Sequence, residues 1–284
     1  MHYELVNNVH INTDFWQQEK AVLQADKLNL LSVGSAPNFA GIMQHEGIQK
    51  SMNLFDHITK RTYHPGQYLY FNQAPVPTGT NIMVNADGYI TLEYYGEPIG
   101  EMKLYPETNR AVKEIDYLNP DGSVDFAEEY STDGFQFTKL LYDEGKPQEF
   151  QFLNLAGQPV IRYYYFDNVI NYITIENPET QEILQHYDNL SEFVARQVAE
   201  VLTPFDEVTV CYMGGEMTAL RYTKSHNILR LSEPPFDDQD EVRGNLLGIL
   251  NDDIKYIQEV QMDRNAYNSL ALRNINLDKA KIIE

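Results

Sequence analysis

The acidic side chains are the residues of this sequence whose clustering could support chemistry. Three acidic pairs stand late in the chain, at Asp237-Asp238, Asp240-Glu241 and Asp252-Asp253. Clustered carboxylates can receive a basic or hydroxyl-rich peptide or a divalent cation, because their oxygens accept hydrogen bonds and bind hard metal ions. Such clusters are more often a solvated face, and we keep that interpretation unless the loop faces a cleft.

Glu233 and Glu241 are separated by seven residues, a spacing similar to that of the paired glutamates in retaining glycosyltransferases built from two Rossmann domains. Pro234 and Pro235 follow Glu233 directly, so the two carboxylates cannot lie on one helix. The glycine-rich turn that precedes the pair in those enzymes is also absent. We therefore interpret the spacing as a coincidence.

Gly214-Gly215 follows an apolar stretch, as a phosphate-binding turn would, because a helix N-terminus presents free amide groups to an anion. No third glycine and no lysine follow closely, and Glu216 would repel a phosphate. We interpret the pair as a plain turn between a strand and a helix.

The histidines and the cysteine form no metal or nucleophile motif. The seven histidines make no His-x-x-x-His pair, and a single cysteine, Cys211, excludes a thiolate zinc site. Cys211 falls in a predicted buried strand, where a small apolar role is more frequent than a nucleophile's. We predict no catalytic residue, no bound metal and no cofactor.

Charge and composition limit the possible partners. The 284 residues include 42 acidic and 21 basic side chains, a net charge of −21, which opposes binding to nucleic acid or tight docking on anionic lipid. No signal peptide and no membrane-length apolar run is visible. The sequence predicts a soluble cytoplasmic protein with at most peripheral association with the inner face of the cell membrane.

The spacing of apolar residues divides the chain into three stretches. Residues 1–60 predict a βαβ-like beginning, with a helix opened by Thr13 or Asp14 and a strand at residues 28–33. Residues 61–180 predict an antiparallel β-meander, because glycines recur at 12-, 11- and 12-residue intervals from Gly122 to Gly157. Residues 181–284 return to alternating helices and strands, including a strand at residues 254–260.

This order predicts an α/β fold with a large antiparallel β insertion. The aromatic run at residues 163–166 is apolar or amphipathic on both faces, so its strand is covered on both sides or offers an aromatic face to a partner. Tyr163 and Tyr165 are the partner-interface candidates.

Two segments resemble the GtfB family, the glycosyltransferase-stabilising proteins of the bacterial accessory Sec system. They are Asn-Gln-Ala-Pro-Val-Pro at residues 72–77 and Leu-Ser-Glu-Pro-Pro-Phe-Asp-Asp at residues 231–238, and the resemblance extends over residues 68–267. It implies the Rossmann-like first domain of a GT-B-type protein, interrupted by the β-meander. We expect the chain to end before a second Rossmann domain.

The resemblance also implies a function. It predicts a non-catalytic subunit that joins a catalytic glycosyltransferase and binds a serine-rich repeat adhesin, so that N-acetylglucosamine is placed on Ser and Thr. No catalytic residue can be carried over. Two alternatives stay open: an active sugar-nucleotide glycosyltransferase of GT-B type, and a repetitive β module that binds carbohydrate.

The acceptor-binding candidates are Glu233, Asp237 and Asp238. Their loop follows the carboxyl end of a predicted strand, where open α/β sheets place their ligands. An exposed loop glutamate held by the following prolines is an equally good interpretation of Glu233.

Overall fold

The computed structural model describes residues 1–86 and 88–283, with only the backbone of Asp26. In these residues the helices are α1 (Asp14–Asp26), α2 (Phe39–Glu46), α3 (Leu54–Thr59), α4 (Leu190–Val201), α5 (Gly215–Ala219), α6 (Gly244–Leu250) and α7 (Arg264–Leu272). The strands are β1 (His2–Val6), β2 (Asn29–Ser32), β3 (Ser51–Asn53), β4 (Asn81–Val84), β5 (Ile90–Tyr94), β6 (Glu97–Leu104), β7 (Val112–Leu118), β8 (Val124–Tyr130), β9 (Gln136–Asp143), β10 (Lys146–Leu153), β11 (Pro159–Phe166), β12 (Val169–Glu176), β13 (Ile183–Tyr187), β14 (Glu207–Val210), β15 (His226–Arg230), β16 (Glu259–Met262) and β17 (Ala280–Ile282).

The chain divides into two compact units. The α/β unit comprises Met1–Ser35, Gly47–Leu54 and Ser191–Glu284, and the β unit comprises Ala36–Glu46 and Phe55–Leu190. Most of the β unit is therefore inserted between β3 and α4 of the α/β unit, and a shorter segment with α2 is inserted between β2 and β3. This confirms the predicted fold class, an α/β frame with a large β insertion.

The α/β unit has a parallel sheet in the order β17-β16-β15-β14-β1-β2-β3. Tyr3 of β1 pairs with Asn29 of β2 on one side and with Val208 of β14 on the other, both in parallel. The strand order thus reverses between β1 and β14, as it does in Rossmann-like sheets. A ligand crevice is expected outside the carboxyl ends of the strands at such a reversal.

Helix caps and apolar strands explain why this unit forms. The hydroxyl of Thr13 accepts a hydrogen bond from the Trp16 amide at 3.2 Å, which opens α1 as predicted. The Asp263 carboxylate caps α7 in the same way at the Ala266 amide, at 2.7 Å. The central strands are buried on both faces and have apolar residues on both, as parallel strands require. Their buried side chains include Leu5, Leu30, Leu31, Val208, Val210, Ile228, Leu229 and Val260.

The predicted strand at residues 254–260 is wrong in its first part, because β16 begins at Glu259. The amides of Asp253 and Ile254 both donate to the carbonyl of Gly248, so the backbone there folds back on the end of α6. Ile257 is fully buried from within this turn rather than from a strand. An apolar run that ends in a loop has the same composition as a strand, which explains the error.

The β unit contains a 10-stranded antiparallel sheet whose strands follow chain order from β4 to β13. The glycines that indicated the meander all have positive φ, with values of +85° at Gly122, +84° at Gly134, +73° at Gly145 and +75° at Gly157. Glycine adopts this conformation without a steric penalty, so its spacing marks the turns. The open meander leaves β4 and β13 as edge strands.

The prediction that Tyr163 offers its ring to a partner is wrong. Its side chain is 4% exposed, and its ring contacts Phe150 and Phe152 at centroid distances of 6.0 and 5.2 Å. Tyr163 lies two residues after the fully buried Ile161, and residues two apart on a strand point to the same face, so the Tyr163 ring packs into the core. Tyr165 is half-buried and stays a prediction.

No helix in the described residues is long and apolar enough to cross a membrane.

Candidate functional site

A cleft lies beyond the carboxyl ends of β14 and β15, next to the strand-order reversal between β1 and β14 at which a ligand crevice is expected. Its volume is about 430 Å³. It is bordered by the loop after β14, the loop after β15 and the start of α6. The lining residues are Tyr212, Met213, Gly214, Glu233, Asp237, Arg243, Gly244 and Asn245.

Three side-chain hydrogen bonds hold the borders of the cleft together. The Ser232 hydroxyl donates to the Cys211 carbonyl at 2.7 Å, which joins the two strand-end loops. The Asn245 amide donates to the Met213 carbonyl at 2.7 Å. Nε of Arg243 donates to the Pro234 carbonyl at 2.8 Å, next to Glu233. These hydrogen bonds hold the loops around the cleft in fixed positions relative to one another.

The structure brings two of the three acceptor-binding candidates to the cleft. Glu233 is half-buried and lines it. Asp237 also lines it, while its Oδ1 accepts hydrogen bonds from the Gln239 and Glu241 amides at 2.9 and 3.0 Å. Asp237 thus stabilises its own turn. Asp238 is exposed and does not line the cleft.

The other acidic pairs form surface ion pairs. Asp240 pairs with Arg273 and Asp252 pairs with Lys279, at 2.5 and 2.7 Å. Both carboxylates are well exposed, which agrees with the interpretation of these acidic pairs as part of a solvated surface. The Gly214-Gly215 turn leads into α5, and the Glu216 carboxylate accepts a hydrogen bond from the Asn7 amide at 3.2 Å. A carboxylate thus lies next to the end of β1, where a phosphate would need positive charge.

A buried polar cluster lies where the two strand-end loops begin. Arg230, the last residue of β15, places its guanidinium 3.1 Å from Glu4 on β1 and 3.4 Å from Glu19 on α1. Cys211 follows β14 directly, and its thiol lies 3.3 Å from Glu4 and 3.7 Å from Glu19. Glu4, Glu19 and Cys211 are all buried, since each residue as a whole is at most 6% exposed.

Burial controls the ionisation of this cluster. It raises the pKa of Glu4 to about 8, with a further contribution from the negative charge of Glu19. Burial also raises the pKa of the Cys211 thiol, which agrees with the predicted inert role of this residue. Arg230 supplies a cation to the two carboxyl groups, so the donor set does not require a metal ion.

Sequence reasoning missed the cluster, Arg243 and Asn245. Glu4 carried a weak signal, since it is the only carboxylate within the first strand, His-Tyr-Glu-Leu-Val. A charged residue in a strand buried on both faces requires a partner. The partners stand at positions 19, 211 and 230, so nothing in the local sequence indicates them.

The β unit carries the match to known proteins. Residues 84–194 match the family described as the GtfB middle domain. Residues 84–194 are therefore similar to a GtfB middle domain. The matched segment, called the GtfB middle domain below, runs from the last residue of β4 through β13 into α4, so it covers strands β5 to β13 of the antiparallel meander.

The known proteins similar to this chain agree with that match. A UDP-N-acetylglucosamine–peptide N-acetylglucosaminyltransferase stabilizing protein GtfB from Streptococcus agalactiae is 28% identical over 137 residues, 47% of this chain and 28% of that protein. A chain of the accessory secretory protein 1, 2 and 3 structure from Streptococcus pneumoniae superposes with a TM-score of 0.77 and 14% identity, covering 100% of this chain and 62% of that one.

A chain of the GtfA/B complex bound to UDP and GlcNAc superposes with a TM-score of 0.70 and 15% identity, covering 100% of this chain and 61% of that one. This chain therefore shares the fold of these proteins and spans less than two thirds of their length. Its fold and its middle domain are GtfB-like.

The GtfB middle domain exposes apolar side chains at its last strands. Ile183 and Leu184 on the edge strand β13 are 50% and 58% exposed, and Phe166 and Val169 in the hairpin between β11 and β12 are 68% and 64% exposed. An edge strand has unpaired backbone groups on one side, and a partner strand can pair with them. Exposed apolar residues on an unpaired edge are a feature of an interaction surface.

A second cavity, of about 620 Å³, lies on the other half of the GtfB middle domain. Its wall includes Tyr117 and Phe126, whose rings stack at a centroid distance of 4.4 Å. Nζ of Lys139 lies 3.9 Å from the centroid of the Phe126 ring. The Phe126 ring is therefore already engaged by two neighbours, which leaves less of it for a sugar to stack on.

Proposed function

We propose that this chain is the non-catalytic stabilising and acceptor-recognition subunit of a two-component O-linked N-acetylglucosaminyltransferase. The observation that carries the proposal is the GtfB middle domain, inserted as a 10-stranded meander into a Rossmann-like frame. A curated relative that matches this chain is named as a stabilizing protein of such an enzyme. The substrate of the complex would be Ser and Thr residues of a serine-rich repeat adhesin.

The α/β unit supports a non-catalytic role. The Glu216 carboxylate lies beside the end of β1, at the strand-order reversal, and would repel the diphosphate of a sugar nucleotide. The cleft offers carboxylate and amide oxygens together with the guanidinium of Arg243. These groups suit a peptide rich in hydroxyl and backbone amide groups, since each can accept or donate hydrogen bonds without requiring apolar surface.

The GtfB middle domain is the proposed interface with the catalytic subunit. The edge strand β13 with its exposed Ile183 and Leu184 suits pairing with a strand of the equivalent module, and Tyr165 lies on a nearby strand. With this assignment the complex would act in the cytoplasm, with at most peripheral contact with the membrane.

Co-purification tests the assembly. The tagged chain is co-expressed with a GtfA-type catalytic subunit, and the stoichiometry is measured by light scattering after gel filtration. A stable complex of defined mass supports the proposal. Separate elution of the two proteins at micromolar concentration would refute it.

A further inference from the structure

The buried cluster of Glu4, Glu19, Cys211 and Arg230 contains one carboxyl group more than its single cation can balance. If both glutamates were ionised, the cluster would carry a net charge of −1 inside the α/β unit. An uncompensated buried charge is strongly destabilising, and a buried group of this kind takes up a proton instead. The charge balance therefore requires one proton on the two carboxyl groups.

The hydrogen bonds of the cluster indicate where this proton lies. Oε2 of Glu19 is buried and accepts no hydrogen bond from any other described residue. Oxygen atoms of Glu4 and Glu19 and the sulfur of Cys211 all lie within 4.8 Å of one another. A proton on Glu4 that is donated toward the Glu19 carboxyl group removes the excess charge, since the two side chains lie within hydrogen-bond reach of one another.

We propose that Glu4 and Glu19 share one proton at neutral pH, and that release of this proton in mildly alkaline solution loosens α1 from the sheet. The inference concerns the α/β unit alone and does not depend on the proposed function. The shared proton would belong to the pair rather than to either residue.

Every element around the cluster contributes a titratable or charged group. Glu4 comes from β1, Glu19 from α1, Cys211 and Tyr212 from the loop after β14, and Arg230 from β15. Burial raises the pKa of Tyr212, and the acidic side chains around it, Cys211 first among them, raise it further. The thiol and the phenol therefore stay neutral while the glutamate pair titrates.

The cluster is connected to the cleft through α1. The ring of Phe15, on α1, lies 5.2 Å from the ring of Tyr212, which lines the cleft. If α1 loosened, the ring of Tyr212 would lose its contact with Phe15. Release of the proton would then make one wall of the cleft more mobile.

The direction of the pH dependence follows from the raised pKa. The pKa of Glu4 rises from 4.5 to about 8, so between these values the folded chain keeps a proton that the unfolded chain has released. Protonation stabilises the fold fully below about pH 4.5, and this contribution declines as the pH rises and is lost above about pH 8. The glutamate pair therefore favours the folded state in neutral rather than alkaline solution.

The chain contains its own probe. Trp16 is the single tryptophan, it is 3% exposed, and it precedes Glu19 by three residues on α1. Residues three apart share a helix face, so Trp16 emission reports the packing of the face that carries Glu19. The experiment measures Trp16 emission and urea unfolding from pH 6 to pH 9.5 in the full chain and in Glu4→Gln, Glu19→Gln and Glu207→Gln variants.

Glu4→Gln keeps the shape and hydrogen bonding of a protonated glutamate but cannot ionise. Glu207→Gln is the matched control, since Glu207 lies on β14 with its side chain 44% exposed. We expect the wild type and Glu207→Gln to show a red shift of Trp16 emission centred near pH 8, and a urea midpoint that falls between pH 6 and pH 8 and levels off at higher pH. We expect both changes to be absent in Glu4→Gln and Glu19→Gln.

Three results would overturn the inference. They are a wild type without a transition between pH 6 and pH 9.5, a Glu4→Gln variant with the wild-type transition, and a Glu4→Gln variant that is unfolded at pH 7. The last result would show that the fold requires the ionised carboxylate. Amide hydrogen exchange at residues 211–216, compared between wild type and Glu4→Gln at each pH, tests the link to the cleft and should differ only above pH 8.

Discussion

Nη2 of Arg230 lies 3.1 Å from Oε2 of Glu4, and this ion pair joins two strands that β14 separates in the sheet. The pair therefore ties β15 to β1 across the strand-order reversal, at the base of the loops that form the cleft. A stable cleft requires these strand ends to keep their spacing.

Arg230→Met should destabilise the α/β unit by about 3 kcal/mol at pH 8, because it leaves two buried carboxyl groups without their cation. The loss should be smaller at pH 5, where the carboxyl groups take up protons more readily. Urea unfolding followed by Trp16 emission measures both values. Arg264→Met, at an exposed position in the first turn of α7, is the control and should change stability by less than about 0.5 kcal/mol. Equal losses for the two variants would contradict the role of Arg230.

Gly134→Ala should destabilise the β unit more than Gly145→Ala does. Both glycines have positive φ, which costs an L-residue about 1 kcal/mol or more. A Cβ on Gly134 would also approach the Leu69 amide nitrogen to 2.4 Å and the Tyr68 carbonyl carbon to 2.8 Å, whereas a Cβ on Gly145 meets open space. Thermal unfolding compares the two variants. Equal shifts in Tm would show that the backbone of residues 68–69 can move away from the added Cβ without loss of stability.

The cleft variants separate charge from hydrogen bonding. Glu233→Ala should weaken the binding of a serine-rich acceptor peptide about fivefold, the effect of losing one hydrogen bond. Glu233→Gln keeps the shape and one acceptor oxygen, so its affinity should stay within about twofold of wild type. Isothermal titration on the assembled complex measures both.

Asp238→Ala is the control for these variants, because Asp238 lies on the same loop as Glu233 but does not line the cleft. It should bind the peptide with wild-type affinity. Wild-type affinity in Glu233→Ala as well would assign Glu233 to an exposed loop position without a role in binding.

The edge of the GtfB middle domain can be tested by adding charge. Ile183→Lys combined with Leu184→Lys should reduce co-purification with the catalytic subunit at least tenfold, because lysine on an edge strand opposes pairing with another strand. Both side chains are at least half exposed, so the fold itself should not change. Met83→Lys combined with Val84→Lys is the matched control, since these side chains are 42% and 63% exposed on the opposite edge strand, β4. Retained binding by the double variant would exclude β13 as the interface.

The fold could be predicted largely from local patterns. Glycines at turn positions predicted the meander, since they adopt positive φ without cost, and Thr13 predicted the start of α1. Residues 254–258 could not be assigned, because an apolar turn and an apolar strand have the same composition.

The site was predictable only in part, because its groups come from distant positions. Glu233 followed from the rule that ligands bind beyond strand ends. Arg243 and Asn245 reach the cleft through hydrogen bonds to Pro234 and Met213, which depend on how two loops meet. The prediction that Tyr163 contacts a partner was wrong for a related reason, since only the packing of the sheet decides which face of an aromatic strand is buried.

A sugar-transfer assay tests the central claim most directly. It measures the transfer of N-acetylglucosamine from UDP-N-acetylglucosamine to a serine-rich peptide by this chain alone, by a GtfA-type subunit alone, and by the two together. The account predicts no turnover by this chain alone, little by the catalytic subunit alone, and a rate at least tenfold higher for the two together. Sugar transfer by this chain alone, at a rate that further purification does not lower, would contradict it.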